Sequence, residues 1–331
     1  VHFKGKTLHR NILTLGGLGL LAAFAAFAIS QKSPQGPPTT VAPSKATVEF
    51  DKSKAWAHLV KQCSVGPRNP GSKGYDATKD YLVAEMKKYC DEVRLQPFTH
   101  TWSSTGKPVA MANVIGEQNY KSAKTRILLL AHWDTRPTSD QDFNQANSNK
   151  PIMGANDGAS GVAVLLELMR AVKGRLPKDV GVMYLMTDGE DLGPDLDEMF
   201  LGAREFAKKF PSPKPDYGIL LDMIGDKNLK VPMEPNSSRF AGALLKAFYL
   251  NAQQNGLRET FPMNFGPIIE DDHIPLNEAG LPTIDLIDFD YAAWHTQQDT
   301  VDKCSADSLG KIGTALETWL LKDPAYRVGG N

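Results

Sequence analysis

Histidines and carboxylates recur at the ends of apolar segments in this sequence. His132 and Asp134 follow RILLLA, Glu190 and Asp191 follow VGVMYLMT, and Asp222 follows YGILL. Open α/β sheets build their sites beyond the carboxyl ends of their strands, so we expect these side chains to gather at one edge of a sheet. Carboxylates crowded in this way repel one another unless protons or a cation offset their charge.

Three further segments carry side chains that could bind a metal ion. GANDGASG puts Asp157 directly before a predicted helix, IEDDHIPL contributes Asp271 and His273, and YAAWHTQQDT contributes His295. The three cysteines are too scattered for a thiolate zinc site or a disulfide framework, so we expect histidines and carboxylates to be the ligands. A zinc site of mixed ligands with one open position is the simplest arrangement that accounts for these residues.

Each motif also has an ordinary structural explanation. A His-x-Asp sequence is common as an oriented surface histidine, Asp-Gly-Glu-Asp suits a turn, and GANDGASG suits the start of a helix. Asp222 stands where it could simply cap a strand. These structural explanations are independent of one another, whereas a single shared site accounts for all of the motifs together.

The segments that must position these residues alternate between strand-like and helix-like patterns. The strand-like segments are apolar on both faces, which is typical of a parallel sheet covered by helices on both sides. The sequence therefore predicts an α/β fold, a single-domain α/β/α sandwich with a mostly parallel central sheet. After a first helix that begins behind Asp51, the predicted strands are 92–99, 126–131, 180–187, 217–224 and 282–287, and the predicted helices are 75–89, 159–172, 201–210, 237–255 and 306–321. If the first two helices pack antiparallel, Cys63 and Cys90 lie too far apart for a disulfide, so free thiols are expected.

Residues 1–30 have the pattern of a targeting segment. Lys4, Lys6 and Arg10 precede an uncharged, largely apolar run at 12–29, which fits either a cleaved signal peptide or an N-terminal membrane anchor. Residues 31–46 are rich in Pro, Ser and Thr and lack apolar periodicity, so we expect a disordered linker. The folded domain is expected at 47–331, exported to the periplasmic or extracellular face of a membrane.

The composition argues against several classes of function. With 331 residues, 41% of them hydrophobic and 23% charged, the chain has ordinary globular composition. Its 37 Lys and Arg residues balance 38 Asp and Glu residues, and the formal net charge of −1 gives no electrostatic reason to bind phosphate backbones. We therefore expect no nucleic-acid partner.

Taken in order, six motifs resemble those of the M28 zinc-peptidase superfamily. They are AHWDTR, GANDGASG, DGEDLG, LLDMIGD, IEDDHIPLNEAGLPTIDLIDFD and WHTQQDT. Within the superfamily, the match is nearest to the animal-like (type II) glutaminyl-peptide cyclotransferases that occur also in bacteria. The resemblance covers nearly everything from the first helix to the C-terminal helix, and it implies a zinc-exopeptidase-like fold with a mixed, mostly parallel central sheet.

The resemblance implies a role for each matching residue. It implies one Zn²⁺ per chain, bound by three ligands: Asp157, Asp191 and His295. Glu190 is then the residue that transfers protons, and Asp222 and Asp271 are catalytic residues that share a hydrogen bond beside the substrate. Trp294 and Glu270 are then substrate-binding residues. Animal members have Glu-Glu where this chain has Glu190-Asp191, and zinc accepts either carboxylate.

The implied activity converts the N-terminal glutamine of peptides into pyroglutamate and releases ammonia. The expected partners are peptides or proteins with a free N-terminus, and the membrane through the N-terminal segment. We expect the chain to be a monomer.

Two other functions remain open from the sequence. The aminopeptidases of the superfamily bind two metals, and in that case His132 and Asp222 bind the second ion, Asp157 bridges the two ions and Asp134 orients His132. Asp271 and the Trp before the last histidine favour the cyclotransferase, because Asp271 competes with a second metal for Asp222. The second alternative is a non-catalytic exported binding domain on the same fold, although such a domain would be expected to lose the ligands that this chain keeps.

Overall fold

This computed structural model describes residues 47–322 of the chain. Within these residues, six strands form one mixed sheet. The strands are β1 (Glu92–Trp102), β2 (Lys107–Gln118), β3 (Thr125–His132), β4 (Val180–Thr187), β5 (Tyr217–Asp222) and β6 (Thr283–Ile287). Their order across the sheet is β1-β2-β4-β3-β5-β6. β3 is parallel to β4 and β5, and β5 is parallel to β6, whereas β2 is antiparallel to β1 and β4. The predicted mixed, mostly parallel sheet is confirmed.

Helices cover both faces of this sheet, because the side chains of β3 alternate between two hydrophobic cores. Ile127 and Leu129 belong to the core formed with α1, α3, α5 and α7, and Leu128 and Leu130 belong to the core formed with α4 and α6. The helices are α1 (Lys52–Cys63), α2 (Lys73–Tyr89), α3 (Ala159–Val172), α4 (Leu201–Lys208), α5 (Pro235–Gln254), α6 (His273–Glu278) and α7 (Ala306–Leu320). The α/β/α sandwich predicted from the sequence is therefore confirmed.

Two glycines let the start of α3 lie directly against the strand ends. A Cβ at Gly158 would lie 2.4 Å from both the carbonyl oxygen and Nε2 of His132, at the end of β3. A Cβ at Gly161 would lie 2.4 Å from the carbonyl oxygen of Leu221, in β5. The small residues of GANDGASG are therefore required by close packing, and this packing carries Asp157 to the edge of the sheet.

The sequence analysis missed two elements. β2 begins with exposed residues and continues with buried ones, so its sequence lacks both the alternation of a surface strand and the continuous apolar character of a central strand. α6 contains Pro275 and has only six residues, and a helix this short shows no helical periodicity in its sequence.

Other local predictions agree more closely with the structure. α3 and β4 begin and end where predicted, and Asp51 caps α1 by accepting the N–H of Ser53. β5 ends earlier than predicted, at Asp222, because Met223 adopts a left-handed φ of +46°. Cys63, Cys90 and Cys304 are all free, as expected.

The N-terminal predictions lie outside the described residues. Both the targeting segment at 1–30 and the linker at 31–46 fall before residue 47, where the description begins. Within 47–322, no helix combines the length and the apolar character that crossing a membrane requires.

Candidate active site

Side chains from four elements converge at the carboxyl edge of the parallel strands. His132 ends β3, the Glu190–Asp191 pair follows β4 and Asp222 ends β5, while Asp157 directly precedes the start of α3. All five are at least nine-tenths buried. The sequence-based expectation that the carboxyl ends of these strands share one site is met.

Asp157, Asp191 and His295 form a group that could hold a metal ion. One donor atom from each lies within 4.8 Å of the others. His295 Nε2 is 3.2 Å from Asp191 Oδ1 and 3.6 Å from Asp157 Oδ2. Asp157 Oδ2 and Asp191 Oδ2 are buried and have no hydrogen-bond partner among the described residues. A divalent cation would satisfy these oxygens, and the mixed carboxylate and imidazole donors suit zinc.

His132, Asp157 and Asp222 form a second such group, which shares Asp157 with the first. His132 Nε2 lies 3.0 Å from Asp157 Oδ1 and 3.2 Å from Asp222 Oδ1. Burial lowers the pKa of His132, but the surrounding carboxylates outweigh burial and raise that pKa well above its usual value. One donor atom from each of these three residues lies within 4.8 Å of the others, so they too could hold a cation.

Glu190 has the surroundings of a proton-transfer group. Its Oε2 lies 3.7 Å from His132 Nδ1. Burial raises the pKa of Glu190 well above its usual value, and the charges of Asp191 and Asp271 raise it further against the opposing charge of His132. A carboxyl with a raised pKa can both accept and return a proton near neutral pH.

The backbone of the Glu190–Asp191 pair is held by Asp134. The Oδ1 atom of Asp134 accepts the N–H of Glu190 and its Oδ2 atom accepts the N–H of Asp191, each at 3.2 Å. Asp134 Oδ1 also lies 3.6 Å from His132 Nδ1. One buried carboxylate after β3 thus positions the residues that follow β4.

Asp188, two residues before Glu190, is bound to two other elements of the fold. Its Oδ2 atom accepts the hydroxyl of Tyr75 in α2 and the N–H of Ala112 in β2, both at 2.6 Å. The Asp188 N–H is in turn donated to the Asn113 side chain at 3.0 Å. β2, which the sequence did not predict, therefore helps to place the pair at 190 and 191.

Asp271 enters the site from the residues before α6. Its Oδ1 atom accepts the N–H of Asp272, whose own carboxylate accepts the hydroxyl of Thr187 at the end of β4. Burial and the charges of Asp285 and Asp222 raise the pKa of Asp271 well above its usual value. Asp222 Oδ1 lies 3.2 Å from His132 Nε2, and the hydrogen bond expected between Asp222 and Asp271 stays a prediction.

The two predicted substrate-binding residues lie in different surroundings. The Trp294 ring stacks on the His295 ring, with 3.8 Å between centroids and 25° between planes, and it also contacts Phe289. Glu270 is exposed, directly before the buried Asp271. Their roles toward a substrate stay predictions.

Asp299 holds the Asp157 end of the site, and the sequence analysis assigned it no role. Its carboxylate accepts the N–H groups of Asn156 and Asp157 at 2.9 and 3.1 Å and the hydroxyl of Tyr291 at 2.7 Å. Burial, together with the charge of Asp157, raises the pKa of Asp299 to about 7. The signal was present, because Asp299 lies in the same WHTQQDT motif as His295.

Arg68 and Arg136 are two more residues whose roles the sequence did not show. The fully buried Arg68 guanidinium donates to the carbonyl oxygens of Trp133, Met153 and Gly154, at 2.7–3.0 Å. It thereby joins the HWD segment to the GANDGASG segment. Arg136 is buried against Asp191, with 3.0 Å between Nη1 and Oδ1.

Comparison with known proteins places this site in a family. Residues 113–320 match the profile of Peptidase family M28. The chain belongs to this family. The matched range contains both metal-binding groups described above, which consist of His132, Asp157, Asp191, Asp222 and His295.

Individual M28 relatives are similar over most of their length. A glutaminyl-peptide cyclotransferase from Bos taurus is 27% identical over 303 residues, which cover 78% of this chain and 80% of that protein. The crystal structure of Bacteroides thetaiotaomicron glutaminyl cyclase bound to N-acetylhistamine has a TM-score of 0.79 and 32% identity, covering 84% of this chain and 100% of that one. A Zn-dependent exopeptidase from Parabacteroides distasonis has a TM-score of 0.80 and 31% identity with the same coverage.

Proposed function

We infer that this M28 chain is a glutaminyl-peptide cyclotransferase, which converts the N-terminal glutamine of peptides into pyroglutamate with release of ammonia. The observation that carries this inference is the buried Glu190, which directly precedes the candidate zinc ligand Asp191 and whose pKa the charge of the buried Asp271 helps to raise. The similarity to glutaminyl cyclases over whole chains supports it.

The proposed metal is one Zn²⁺, bound by Asp157, Asp191 and His295. When bound, zinc supplies a Lewis acid that polarises the side-chain amide carbonyl of the glutamine. The count of one ion rests on the resemblance to cyclotransferases, and the two buried carboxylate oxygens without partners support a cation at this position.

The residues around this centre would bind the substrate and transfer its protons. The reaction is intramolecular, so the site has only to hold the glutamine with its amino group against its own side-chain amide carbon. Glu190 takes a proton from the attacking amine and gives it to the side-chain amide nitrogen, which departs as ammonia when its bond to carbon breaks, and the raised pKa of Glu190 suits both steps. Asp271 and Asp222 accept hydrogen bonds from the substrate, and Trp294 forms a wall of the pocket.

A second function is supported by a specific observation. His132, Asp157 and Asp222 offer donor atoms within 4.8 Å of one another, where a second ion would bind in an aminopeptidase. The similar structure from Parabacteroides distasonis is a Zn-dependent exopeptidase. In that function Glu190 activates a water molecule that attacks the first peptide bond, and Asp222 is a metal ligand.

Mass spectrometry of the products distinguishes the two functions. The purified protein is reconstituted with zinc and incubated with a peptide that begins with glutamine. Loss of one ammonia from an otherwise intact peptide establishes the cyclotransferase, whereas release of free amino acids establishes the aminopeptidase. An unchanged peptide refutes both enzymatic functions and favours a binding domain.

The Asp271→Asn variant separates the same functions by a second route. A cyclotransferase loses the carboxylate that accepts a hydrogen bond from its substrate, so its turnover should collapse. A two-metal aminopeptidase does not use Asp271 as a ligand and should retain turnover.

We propose further that the enzyme acts as a monomer on peptides with free N-termini. We also propose that residues 1–30 export the enzyme, either as a cleaved signal peptide or as a membrane anchor. Fractionation of bacterial cells that express the full chain tests this proposal. Activity confined to the cytoplasm would contradict it.

A further inference from the structure

We infer that Asp140, held by Arg136, is the positioning residue that orients the His295 imidazole for metal binding. This inference rests on the proposed function, because it takes His295 and Asp191 as zinc ligands. Neither Asp140 nor Arg136 belongs to the proposed ligand set or to the proton-transfer residues. Both lie in the polar segment at 135–153, between the HWD and GANDGASG motifs.

Arg136 joins Asp140 to one of the proposed ligands. The Arg136 side chain is 4% exposed, and its Nη1 donates to Asp191 Oδ1 at 3.0 Å. Its Nε and Nη2 donate to the two carboxylate oxygens of Asp140. This paired geometry fixes both the position and the plane of the Asp140 carboxylate, as forked Arg–carboxylate contacts do.

Asp140 is the carboxylate that faces the outer nitrogen of His295. Asp140 Oδ1 lies 3.6 Å from His295 Nδ1, whereas Nε2 faces Asp191 and Asp157. His295 Nδ1 is buried and has no hydrogen-bond partner among the described residues, and the Asp140 carboxylate faces it. Histidine ligands in metal sites commonly donate the second ring N–H to a carboxylate, which selects the tautomer that leaves the other nitrogen free for the metal.

The same segment also contacts the backbone at His295. The φ of His295, +53°, lies in the left-handed region, which is unfavourable for a residue with a Cβ. The segment at 135–153 is attached to this backbone at two points: the Gln141 N–H donates to the His295 carbonyl at 3.2 Å, and the Gln297 N–H donates to Asp142 at 3.0 Å. Asp140 is therefore carried to the ring by a segment that is itself bound to the ligand's backbone.

The chain also leaves space for the Arg136 guanidinium. Gly193 has a φ of +53°, and a Cβ there would lie 2.7 Å from Arg136 Nη1. A side chain at position 193 would displace the guanidinium from Asp191. The turn after β4 is thus shaped around the same Arg136–Asp140 pair that reaches His295.

Zinc affinity measures this role without depending on turnover. Zinc dissociation constants of the full protein are obtained by competition with a chromophoric chelator for wild type, Asp140→Asn and the control Asp216→Asn. The control removes the same charge, but the exposed Asp216 accepts the N–H of Arg126 at the amino end of β3, the end opposite His132. We expect D140N to bind zinc about 10- to 100-fold more weakly, as is typical when the carboxylate behind a histidine ligand is lost, and D216N to match wild type.

A cobalt-substituted protein supplies a spectroscopic readout. The visible absorption of Co²⁺ should change in D140N and stay unchanged in D216N, because only the first variant frees the His295 ring. If D140N does not fold, Asp140→Ser replaces it, because serine also removes the carboxylate that faces His295 Nδ1. This variant must also weaken zinc binding.

The outcomes separate this inference from the proposed function. The role of Asp140 is overturned, and the enzyme proposal left intact, if D140N binds zinc as tightly as wild type or if D140N and D216N are weakened equally. A wild-type protein that binds no zinc overturns both.

Discussion

Asp134 holds the backbone of both Glu190 and Asp191, so its replacement tests how the site is assembled. The carboxylate is fully buried, and each oxygen accepts one of the two N–H groups at 3.2 Å. An asparagine keeps one acceptor oxygen and turns an NH₂ group toward the other N–H. Asp134→Asn therefore leaves one buried donor without an acceptor and weakens the remaining hydrogen bond.

These two losses set the expected magnitude. A buried donor left unpaired costs about 1–3 kcal/mol, and a neutral acceptor forms a weaker hydrogen bond than a carboxylate. We expect D134N to lower the free energy of unfolding by about 2–3 kcal/mol. Glu190 would also shift, and a displacement on the order of 1 Å at a reacting group lowers turnover by about 10²-fold.

Urea unfolding of the metal-free protein and turnover of a Gln-initiated peptide measure the two effects. Asp216→Asn is the matched control, because Asp216 accepts the single N–H of Arg126 at 2.7 Å at the exposed start of β3. The control should change the free energy of unfolding by about 0.5 kcal/mol or less. A D134N protein that unfolds like D216N and keeps wild-type turnover would refute the positioning role.

Three further predictions test other parts of the site. Glu190→Gln should retain zinc while turnover falls by about 10²- to 10⁴-fold; near-normal turnover with bound zinc would remove Glu190 from proton transfer. His295→Ala should lose zinc, and stoichiometric metal measured by elemental analysis would contradict its assignment as a ligand. Burial opposes ionisation of Glu234, but contacts with His273 and with the N–H groups of Ser237 and Asn236 lower its pKa from 4.5 to about 2. Because the folded pKa is depressed, Glu234 stabilises the protein above pH 4.5 by about 3 kcal/mol, and this stability is lost as the pH falls toward 2. The free energies of unfolding of wild type and Glu234→Gln, measured by urea titration, should therefore converge as the pH falls across that range. A difference that stays constant would show that an ionised Glu234 is not its source.

The sheet and most of its elements were predictable because their signals are local. Continuous apolar runs such as VGVMYLMT mark strands buried on both faces, and they matched β4 residue for residue. The small residues of GANDGASG likewise predicted the start of α3. β2 escaped prediction because its burial changes along its length, and α6 because six residues carry no helical period.

The chemistry of the site was partly predictable, because residue type and order along the chain indicated a histidine and carboxylate site at one sheet edge, and the resemblance to M28 motifs implied its three ligands. Asp157, Asp191 and His295 do meet there. The sequence contained no sign that Asp140 approaches His295, or that Arg136 joins it to Asp191. Those contacts join residues 55–155 positions apart through an irregular segment, and such segments lack the periodicity from which neighbours are predicted. Ligand identity is a property of the local sequence, whereas the orientation of each ligand depends on packing between distant segments, which exists only in the folded chain.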